Sequence, residues 1–155
     1  MKIERKIKPS FSILGREGST EGGAGFVQRL WQEANSHFEE VAHLAKRDED
    51  GNFCGFWGAM TDFSRQFLPW EDGFSRGLYL AGVECVQDAQ PPAGWQKWTI
   101  PGFEYLCVLC DREDIFPAML AYLQEQQIPL AGAVQDFTCP RTGENFMYFP
   151  IKSLG

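Results

Sequence analysis

The sequence predicts an α+β fold in which a tandem β-α-β-β repeat forms one antiparallel sheet with two helices packed on one side. Three observations predict this fold: the length, the composition and a repeated order of elements. The 155 residues suit one domain, and hydrophobic residues at 44% with charged residues at 23% are typical of a globular chain. We therefore expect one domain over residues 1–155, with halves at about 1–88 and 95–155 and a ligand cleft between them.

The first half contains a strand, a helix and two further strands. Apolar residues recur at helical spacing in the second of these segments, whereas the other three are short, apolar or aromatic and bounded by turn residues. A glycine-rich loop over residues 18–25 precedes the helix, and the longer segment 61–76 joins the last two strands. The four predicted elements cover residues 7–14, 26–45, 53–60 and 77–86.

The second half repeats this order of elements. Its first strand is interrupted by Pro101 and Gly102. Its helix begins at Asp114, a residue that suits the N-cap, and Pro117 falls in the first turn, where its missing N–H costs little. The four predicted elements cover residues 98–110, 114–127, 130–138 and 145–151.

The charge and the N-terminus limit the partners. Fourteen Lys and Arg residues against 21 Asp and Glu residues leave a net charge of −7, which argues against direct nucleic-acid binding because phosphate contacts need clustered basic residues. No apolar run approaches the ~20 residues that cross a bilayer. The charged residues 2–6 lack the apolar core of a signal peptide, so we expect a cytoplasmic protein without membrane contact.

Cysteine and histidine are too sparse to indicate a metal or a cofactor. The five cysteines, an odd number, are typical of reduced thiols. Cys107 and Cys110 form a C-x-x-C spacing within a predicted strand, where residues three apart point to opposite faces. His37 and His43, the only histidines, lie about 240° apart on a helix. We therefore expect no metal site and no cofactor.

Several segments, in their order and spacing, resemble the GyrI-like small-molecule-binding proteins, which share the effector-binding domain of multidrug-responsive transcription regulators. The segments are FWGAMTDF at 56–63, PWED at 69–72, GLYLAGVE at 77–84, PAGWQKWTIPGFEY at 92–105 and FMYFPI at 146–151. The resemblance implies a tandem β-α-β-β fold with a ligand cleft. Regulators of this type carry a helix-turn-helix region before the ligand-binding domain. Here the similarity begins close to residue 1, so the resemblance implies a stand-alone binding protein or enzyme and not a DNA-binding regulator.

The penultimate strand departs from the family pattern. Many members have a glutamate two residues before an aromatic residue, at the floor of the cleft. Gln135 occupies that position relative to Phe137, which implies a neutral floor. A shift of one residue would place Asp136 there instead, and the sequence leaves both assignments open.

Glu84 is the candidate catalytic carboxylate. Alternation along its strand groups it with Leu80 and Gly82 on one face, where it either emerges into solvent or enters the cleft. In an aromatic cleft it would suit a general base or the partner of a ligand cation. Tyr79 and Tyr148 are candidate hydrogen-bond donors to a developing oxyanion.

The aromatic content provides the candidate ligand-binding residues. The chain has 13 Phe, 5 Trp and 4 Tyr, and although most aromatic residues pack in cores, we expect some of these to line the cleft and stack on a ligand. The predicted ligand-binding residues are Phe56, Trp57, Trp70, Trp95, Trp98, Tyr105, Gln135 and Phe137.

Three functions remain open on the sequence. The first is a small-molecule-binding protein that holds planar hydrophobic compounds, with or without a cationic group. The second is implied by relatives that hydrolyse the strained cyclopropane rings of DNA-alkylating natural products, with Glu84 activating a water. The third is a protein-interaction role such as gyrase inhibition, implied by the family name, which would make a topoisomerase the partner.

Overall fold

The computed structural model describes all 155 residues and shows one antiparallel sheet of eight strands. The helices are α1 (Phe26–Ser36), the single turn α2 (Glu71–Phe74) and α3 (Ile115–Glu125). None of them has the length and apolar character that crossing a lipid bilayer requires. The strands, in chain order from β1 to β8, are Ile3–Lys8, Phe11–Ser19, Phe56–Thr61, Leu78–Cys85, Gln96–Ile100, Phe103–Leu109, Gln135–Thr138 and Asn145–Ser153.

The predicted repeat is confirmed, and each half has one additional strand at its start. Across the sheet the strands run β1-β6-β8-β7-β3-β4-β2-β5, so that β3 and β7 meet at the centre. The additional strands are exchanged between the halves: β1 pairs with β6 of the second half, and β5 pairs with β2 of the first. The halves are therefore joined by backbone hydrogen bonds at both edges of the sheet as well as at its centre.

Proline corners separate the exchanged strands from the strands that follow them. The prediction of one strand over residues 7–14 is corrected, because β1 ends at Lys8 and β2 begins only after Pro9. The predicted interruption at Pro101 and Gly102 separates β5 from β6 in the same way. Proline has no N–H for a strand ladder, so the chain can leave one strand pair at these points and enter another.

The first long helix is shorter than predicted. It ends at Ser36, and two 3-10 turns over residues 38–40 and 42–44 follow it. The Ser36 hydroxyl donates to the Gln32 carbonyl, and Asn35 and Ser36 are weak helix formers, which explains the early end. Val41, which follows the helix, is nonetheless fully buried. The helical spacing of the apolar residues over 26–45 therefore reflects burial and not one continuous helix.

The two long helices pack on one side of the sheet, mainly over the strands that flank its centre. The helix α1 shares a core with β2 and β4, against which Phe56 and Met60 of β3 also pack, and α3 shares one with β6 and β8. The central strands β3 and β7 lie between the two helices, and we name this channel the interhelical groove. On this side β3 and β7 present Phe56, Gly58, Met60, Asp136 and Thr138.

The segment between β3 and α2 crosses to the side of the sheet that carries no helix, where Phe63 and Phe67 pack against the core. Asp62 holds this segment in place. Its buried carboxylate accepts hydrogen bonds from the hydroxyls of Thr61 and Ser64 and from the backbone N–H groups of Gln66 and Leu68. Burial by itself raises the pKa of Asp62, but the hydrogen bonds outweigh it and hold this pKa below its usual value.

We expect the substitution Asp62→Ala to lower the free energy of unfolding by about 1–3 kcal/mol at pH 7, because four donors lose their acceptor. Because the pKa of Asp62 is lower in the folded than in the unfolded state, its stabilisation is present above pH ~4 and is lost as the pH falls through the folded-state pKa. Urea unfolding of both proteins between pH 3 and 7 measures this difference. The exposed Glu49→Ala is the control, and equal stability of the Asp62→Ala protein and the wild type at pH 7 would contradict the assignment.

Candidate functional site

The side of the sheet without helices is filled by aromatic side chains, and we name it the aromatic face. These side chains come from six of the eight strands and are largely or fully buried. Five of the residues singled out in the sequence belong to the set. Its members are Phe11, Trp57, Trp98, Phe103, Tyr105, Phe137 and Tyr148.

Trp57 lies at the centre of the aromatic face and is almost fully buried. Its ring centroid is 4.8 Å from that of Phe11, in the first half, and 4.8 Å and 5.1 Å from those of Phe137 and Tyr148, in the second. The rings are tilted or edge-on, which is the geometry that aromatic pairs prefer. On this face the junction between the halves is packed with rings.

Glu84 lies on the aromatic face and is only 3% exposed. Its Oε1 atom accepts a hydrogen bond of 3.1 Å from Trp57 Nε1. Its Oε2 atom lies 3.3 Å from Lys8 Nζ and 4.0 Å from Lys46 Nζ. The alternation predicted along β4 therefore holds, and this buried carboxylate is compensated by one indole and two ammonium groups.

The ammonium of Lys8 sits in a cage made of a carboxylate and two rings. Besides its contact with Glu84, its Nζ atom lies 4.3 Å from the ring centroid of Phe11 and 5.6 Å from that of Trp57. Both distances fall within the range of cation–π attraction. We name this arrangement of Glu84, Phe11 and Trp57 the cation cage.

A cavity of about 340 Å³ adjoins the cation cage. Two members of the cage, Phe11 and Glu84, form part of its wall. Most of the other groups in the wall are polar or small. They are Ser10, Ser12, Lys46, Cys85, Val86, Gln87 and Thr99.

Four of the predicted site residues lie on the helix side of the sheet and not with Glu84. Tyr79 accepts a hydrogen bond from Trp31 Nε1, and the side chain of Phe56 packs in the same core. Trp70 donates to the Leu78 carbonyl. Trp95 belongs to the α1 core as well. The structure therefore separates Tyr79 from Glu84 and Tyr148, and these three predicted catalytic residues do not converge on one cavity.

The structure places Gln135 and Asp136 on opposite sides of β7. Gln135 shares the side of Phe137, and its amide accepts from Met60 N–H and donates to the carbonyls of Met60 and Ala133. These bonds bridge β3 and β7 beyond the point where their ladder ends. Asp136 faces the interhelical groove instead. The carboxylate of the aromatic face is therefore Glu84 on β4.

Two tyrosines complete the aromatic face next to Cys107. Tyr148 lies opposite Cys107 in the pairing of β6 with β8, and the hydroxyl of Tyr105 is buried without a hydrogen-bond partner. Burial raises the pKa of both tyrosines, so both hydroxyls stay protonated near neutral pH. Each can act as a donor but not as a base.

Lys8, Phe11 and Lys46 are not among the site residues that the sequence predicts. Lys8 stands in a charged N-terminal segment that shows no pattern of a site, and it lies 76 positions before Glu84. Phe11 was part of a predicted strand, but a single strand does not indicate which rings meet across a sheet. No signal in the sequence could have joined these residues.

One cluster on the surface has side chains of the kind that bind metals. His37, Glu39 and Glu40 lie exposed after the end of α1, close enough to share an ion. Glu40 Oε1, however, already accepts from Trp95 Nε1 at 2.9 Å and lies 3.7 Å from Arg16. The guanidinium competes with a metal ion for this carboxylate, so the cluster is a poor metal centre.

No family model and no curated protein sequence matches the chain. Solved structures do match it. SAV2435, bound to tetraphenylphosphonium, is 16% identical with a TM-score of 0.64, and the match covers 99% of this chain and 96% of that one. EcmrR, from its complex with DNA, is 8% identical with a TM-score of 0.67, and the match covers 99% of this chain but 58% of EcmrR. This chain has the GyrI-like fold.

One protein of similar architecture is an enzyme. A hydrolase from Listeria innocua is 10% identical to this chain with a TM-score of 0.57, and the match covers 97% of this chain and 92% of the hydrolase. At these identities the likeness establishes the architecture alone, and function depends on the side chains that each chain places on it.

We expect Lys8→Met to lower the free energy of unfolding by about 1–3 kcal/mol, because it removes a cation from a buried carboxylate. The double variant Lys8→Met/Glu84→Gln should lose less than the sum of the two single variants, by about 1 kcal/mol, because the glutamine has no charge to compensate. Urea unfolding of all four proteins at pH 7 measures the coupling. Lys6→Met is the matched control, since Lys6 lies on the same strand as Lys8 and forms no ion pair. If the losses of the two single variants add up strictly in the double variant, the contact between Lys8 and Glu84 contributes nothing to stability.

Proposed function

We propose that this protein binds small organic cations with apolar bodies on its aromatic face, and that the ligand cation replaces Lys8 in the cation cage. One observation carries the proposal: an ammonium group already sits between the carboxylate of Glu84 and the rings of Phe11 and Trp57. Rings and a carboxylate around one point are the groups that recognise organic cations in proteins.

The exchange of Lys8 for a ligand keeps the buried charge compensated. If Lys8 simply withdrew, Glu84 would stay behind as a buried carboxylate with only the more distant Lys46 ammonium as a cation, which costs about 1–3 kcal/mol. A ligand cation in the same place removes that cost. Lys8 in turn competes as a tethered group at a high local concentration, so it lowers the apparent affinity for every external cation.

The cage lies between a mostly polar cavity and the rings of the aromatic face. The cavity, of about 340 Å³, shares Phe11 and Glu84 with the cage, so polar substituents of a cation in the cage can extend into it. Rings of the aromatic face border the cage on its other side, with Trp57 in contact with both halves. Stacking and the release of water would supply most of the affinity, and Glu84 would orient the charge.

A bulky ligand would need the segment after β3 to move. Phe63 and Phe67 of this segment cover the aromatic face. The segment is held by Asp62 and by Arg65, which pairs with Glu17 through bonds of 2.9 Å and 2.7 Å. Arg65 and Phe67 both have positive φ angles, a strained backbone for such residues, which favours a segment with a second conformation.

The comparison with SAV2435 suits this ligand class. That protein has the same fold and is bound to tetraphenylphosphonium, a cation surrounded by four phenyl rings. The identity of 16% carries no residue-by-residue correspondence, so our assignment of Glu84 and the cage depends on the contacts within this chain.

Hydrolysis would use the same face. Glu84 and Tyr148 lie there together, but both carboxylate oxygens of Glu84 are engaged, by Trp57 and by lysines. A base must have a free lone pair within hydrogen-bond reach of a water. Binding requires only that one cation be exchanged for another, so binding is the function that the geometry supports best.

We expect tetraphenylphosphonium to quench tryptophan fluorescence in the wild type and to bind at least tenfold more weakly to Glu84→Gln, because the buried charge is lost. Lys8→Met should bind it more tightly, by about tenfold, because the competing ammonium is gone. For neutral triphenylphosphine oxide, neither Glu84→Gln nor Lys8→Met should change the affinity. Fluorescence titration and calorimetry measure the affinities.

Asp136→Asn is the control for this experiment, because Asp136 lies on the opposite side of the sheet. It should leave the affinity for tetraphenylphosphonium within about twofold of the wild type. Equal binding by the wild type and Glu84→Gln, or weaker binding by Lys8→Met, would show that the cation cage is not the site.

A further inference from the structure

The cavity beside the cation cage has room for a small ligand and a wall that is mostly polar. Its volume of about 340 Å³ lies within the range of small-molecule sites. Hydroxyl-bearing residues Ser10, Ser12 and Thr99 line it together with Lys46. A ligand with a wholly apolar tail would leave these donors without an acceptor, so the cavity favours a ligand that carries oxygen atoms.

Lys46 is the only positively charged residue in the wall of the cavity, and it is weakly engaged. Its Nζ atom lies 4.0 Å from Glu84 Oε2, and its side chain is 56% exposed. An exposed ion pair at such a separation contributes little to stability, so Lys46 can turn to another anion at small cost. Glu84 keeps a cation at the same time, because the ammonium of the ligand takes the place of Lys8.

The position of Lys46 determines how far the anion of a ligand lies from its cation. Lys8 Nζ and Lys46 Nζ lie 3.3 Å and 4.0 Å from the same oxygen of Glu84. The two ammonium groups are therefore no farther apart than these two distances combined. A carboxylate joined to an ammonium by three methylene groups lies about 5 Å from it in an extended chain, so such a ligand can reach Lys46 from the cage.

The hydroxyls of Ser12 and Thr99 can donate a further hydrogen bond to a ligand. Their oxygen atoms lie 3.0 Å apart and share one hydrogen bond. Two hydroxyls hold two hydrogens and this bond uses one of them, so the other hydrogen is available to an acceptor in the cavity. Ser12 itself is only 4% exposed, which leaves water little access to its hydroxyl.

Glu84 is the only negatively charged residue in the wall. The thiol of Cys85 is the other acidic group there, and burial raises the pKa of Cys85 to about 11, so the thiol stays neutral at pH 7. Lys97 donates to the Gln87 carbonyl and adds positive charge next to the wall. A carboxylate that extends away from the cage therefore meets positive charge and hydroxyl groups and no second anion.

The cage itself favours a quaternary ammonium group. It offers the ammonium of Lys8 one hydrogen bond, to Glu84, and the faces of two rings. A primary ammonium has three N–H donors, and two of them find no acceptor in the cage. A trimethylammonium has no donor to satisfy and presents methyl groups to the rings, and aromatic rings around such a cation are a recurrent mode of recognition.

We propose that the cage and the cavity together form one site for a short zwitterion, in which about three methylene groups join a trimethylammonium to a carboxylate. The ammonium would occupy the cage. The carboxylate would pair with Lys46 and accept a hydrogen bond from the hydroxyl pair of Ser12 and Thr99. This inference rests on the function proposed for the aromatic face, because it uses the same cage, and it adds the chemical class of the ligand.

Three compounds of similar shape are the probes. The zwitterion is 4-(trimethylammonio)butanoate. Butyltrimethylammonium has a methyl group in place of the carboxylate, and 5,5-dimethylhexanoate has a carbon in place of the nitrogen. Calorimetry should show saturable binding of the zwitterion to the wild type, about fivefold tighter than butyltrimethylammonium and about tenfold tighter than 5,5-dimethylhexanoate.

The variant Lys46→Met separates the two ends of the ligand. It should bind the zwitterion about tenfold more weakly than the wild type, because the carboxylate loses its counter-charge. It should bind butyltrimethylammonium about two- to threefold more tightly, because a positive charge beside Glu84 is gone. This gain would also show that the variant folds. Lys6→Met is the control, since Lys6 is exposed and lies outside the cavity, and it should bind both compounds within about twofold of the wild type.

Three outcomes would overturn the inference: wild-type affinity for the zwitterion no higher than for butyltrimethylammonium or for 5,5-dimethylhexanoate, zwitterion binding that is unchanged in Lys46→Met, or no saturable binding of the zwitterion. The variant Glu84→Gln then distinguishes the two proposals. If it still weakens the binding of butyltrimethylammonium about tenfold, the cation cage stands and only the assignment of the carboxylate to the cavity fails. If it weakens neither ligand, both proposals fail.

Discussion

The hydrogen bond from the Trp57 indole to the Glu84 carboxylate, completed by the ammonium of Lys8, is the interaction on which the centre of this molecule depends. A carboxylate that is 3% exposed cannot stay charged without partners, and these two groups supply a donor and a counter-charge. The same contacts fix the ring of Trp57, against which Phe11, Phe137 and Tyr148 pack. One buried polar triad thus sets the arrangement of rings on both sides of the junction.

The exchange of strands explains how Lys8 reaches this place. It is the last residue of β1, which pairs with β6 of the second half, yet the chain turns at Pro9 into β2 of the first half. Lys8 therefore stands at the crossing between the halves, next to the end of β4 that carries Glu84. A strand that belonged wholly to one half would not bring an N-terminal lysine to the junction.

The carboxylates on the two sides of the sheet differ in whether groups of the chain compensate their charge. Glu84 is compensated by groups of the chain itself, so a ligand there has to displace an internal cation. Asp136 has no such partner, and burial raises its pKa to about 6. The partners of Glu84 offset the cost of burying its carboxylate, whereas at Asp136 burial disfavours the charged form.

The sequence by itself determined the kinds and order of elements and the shared side of Leu80, Gly82 and Glu84 on β4. Helical spacing and two-residue alternation are properties of the local backbone, so they can be recognised without knowledge of the fold. It also singled out Trp57, Trp98, Tyr105, Phe137 and Tyr148 as candidate site residues, but not that they pack together on one side of the sheet.

Only the tertiary structure decided which side of the sheet the helices cover. The position of the helices places Tyr79 and Trp95 on the opposite side of the sheet from Trp57, and it gives Gln135 and Asp136 different environments. The contact between Lys8 and Glu84 joins residues 76 positions apart through an exchanged strand. No local pattern encodes such a contact, because it arises from how whole strands pair and where the proline corners redirect the chain.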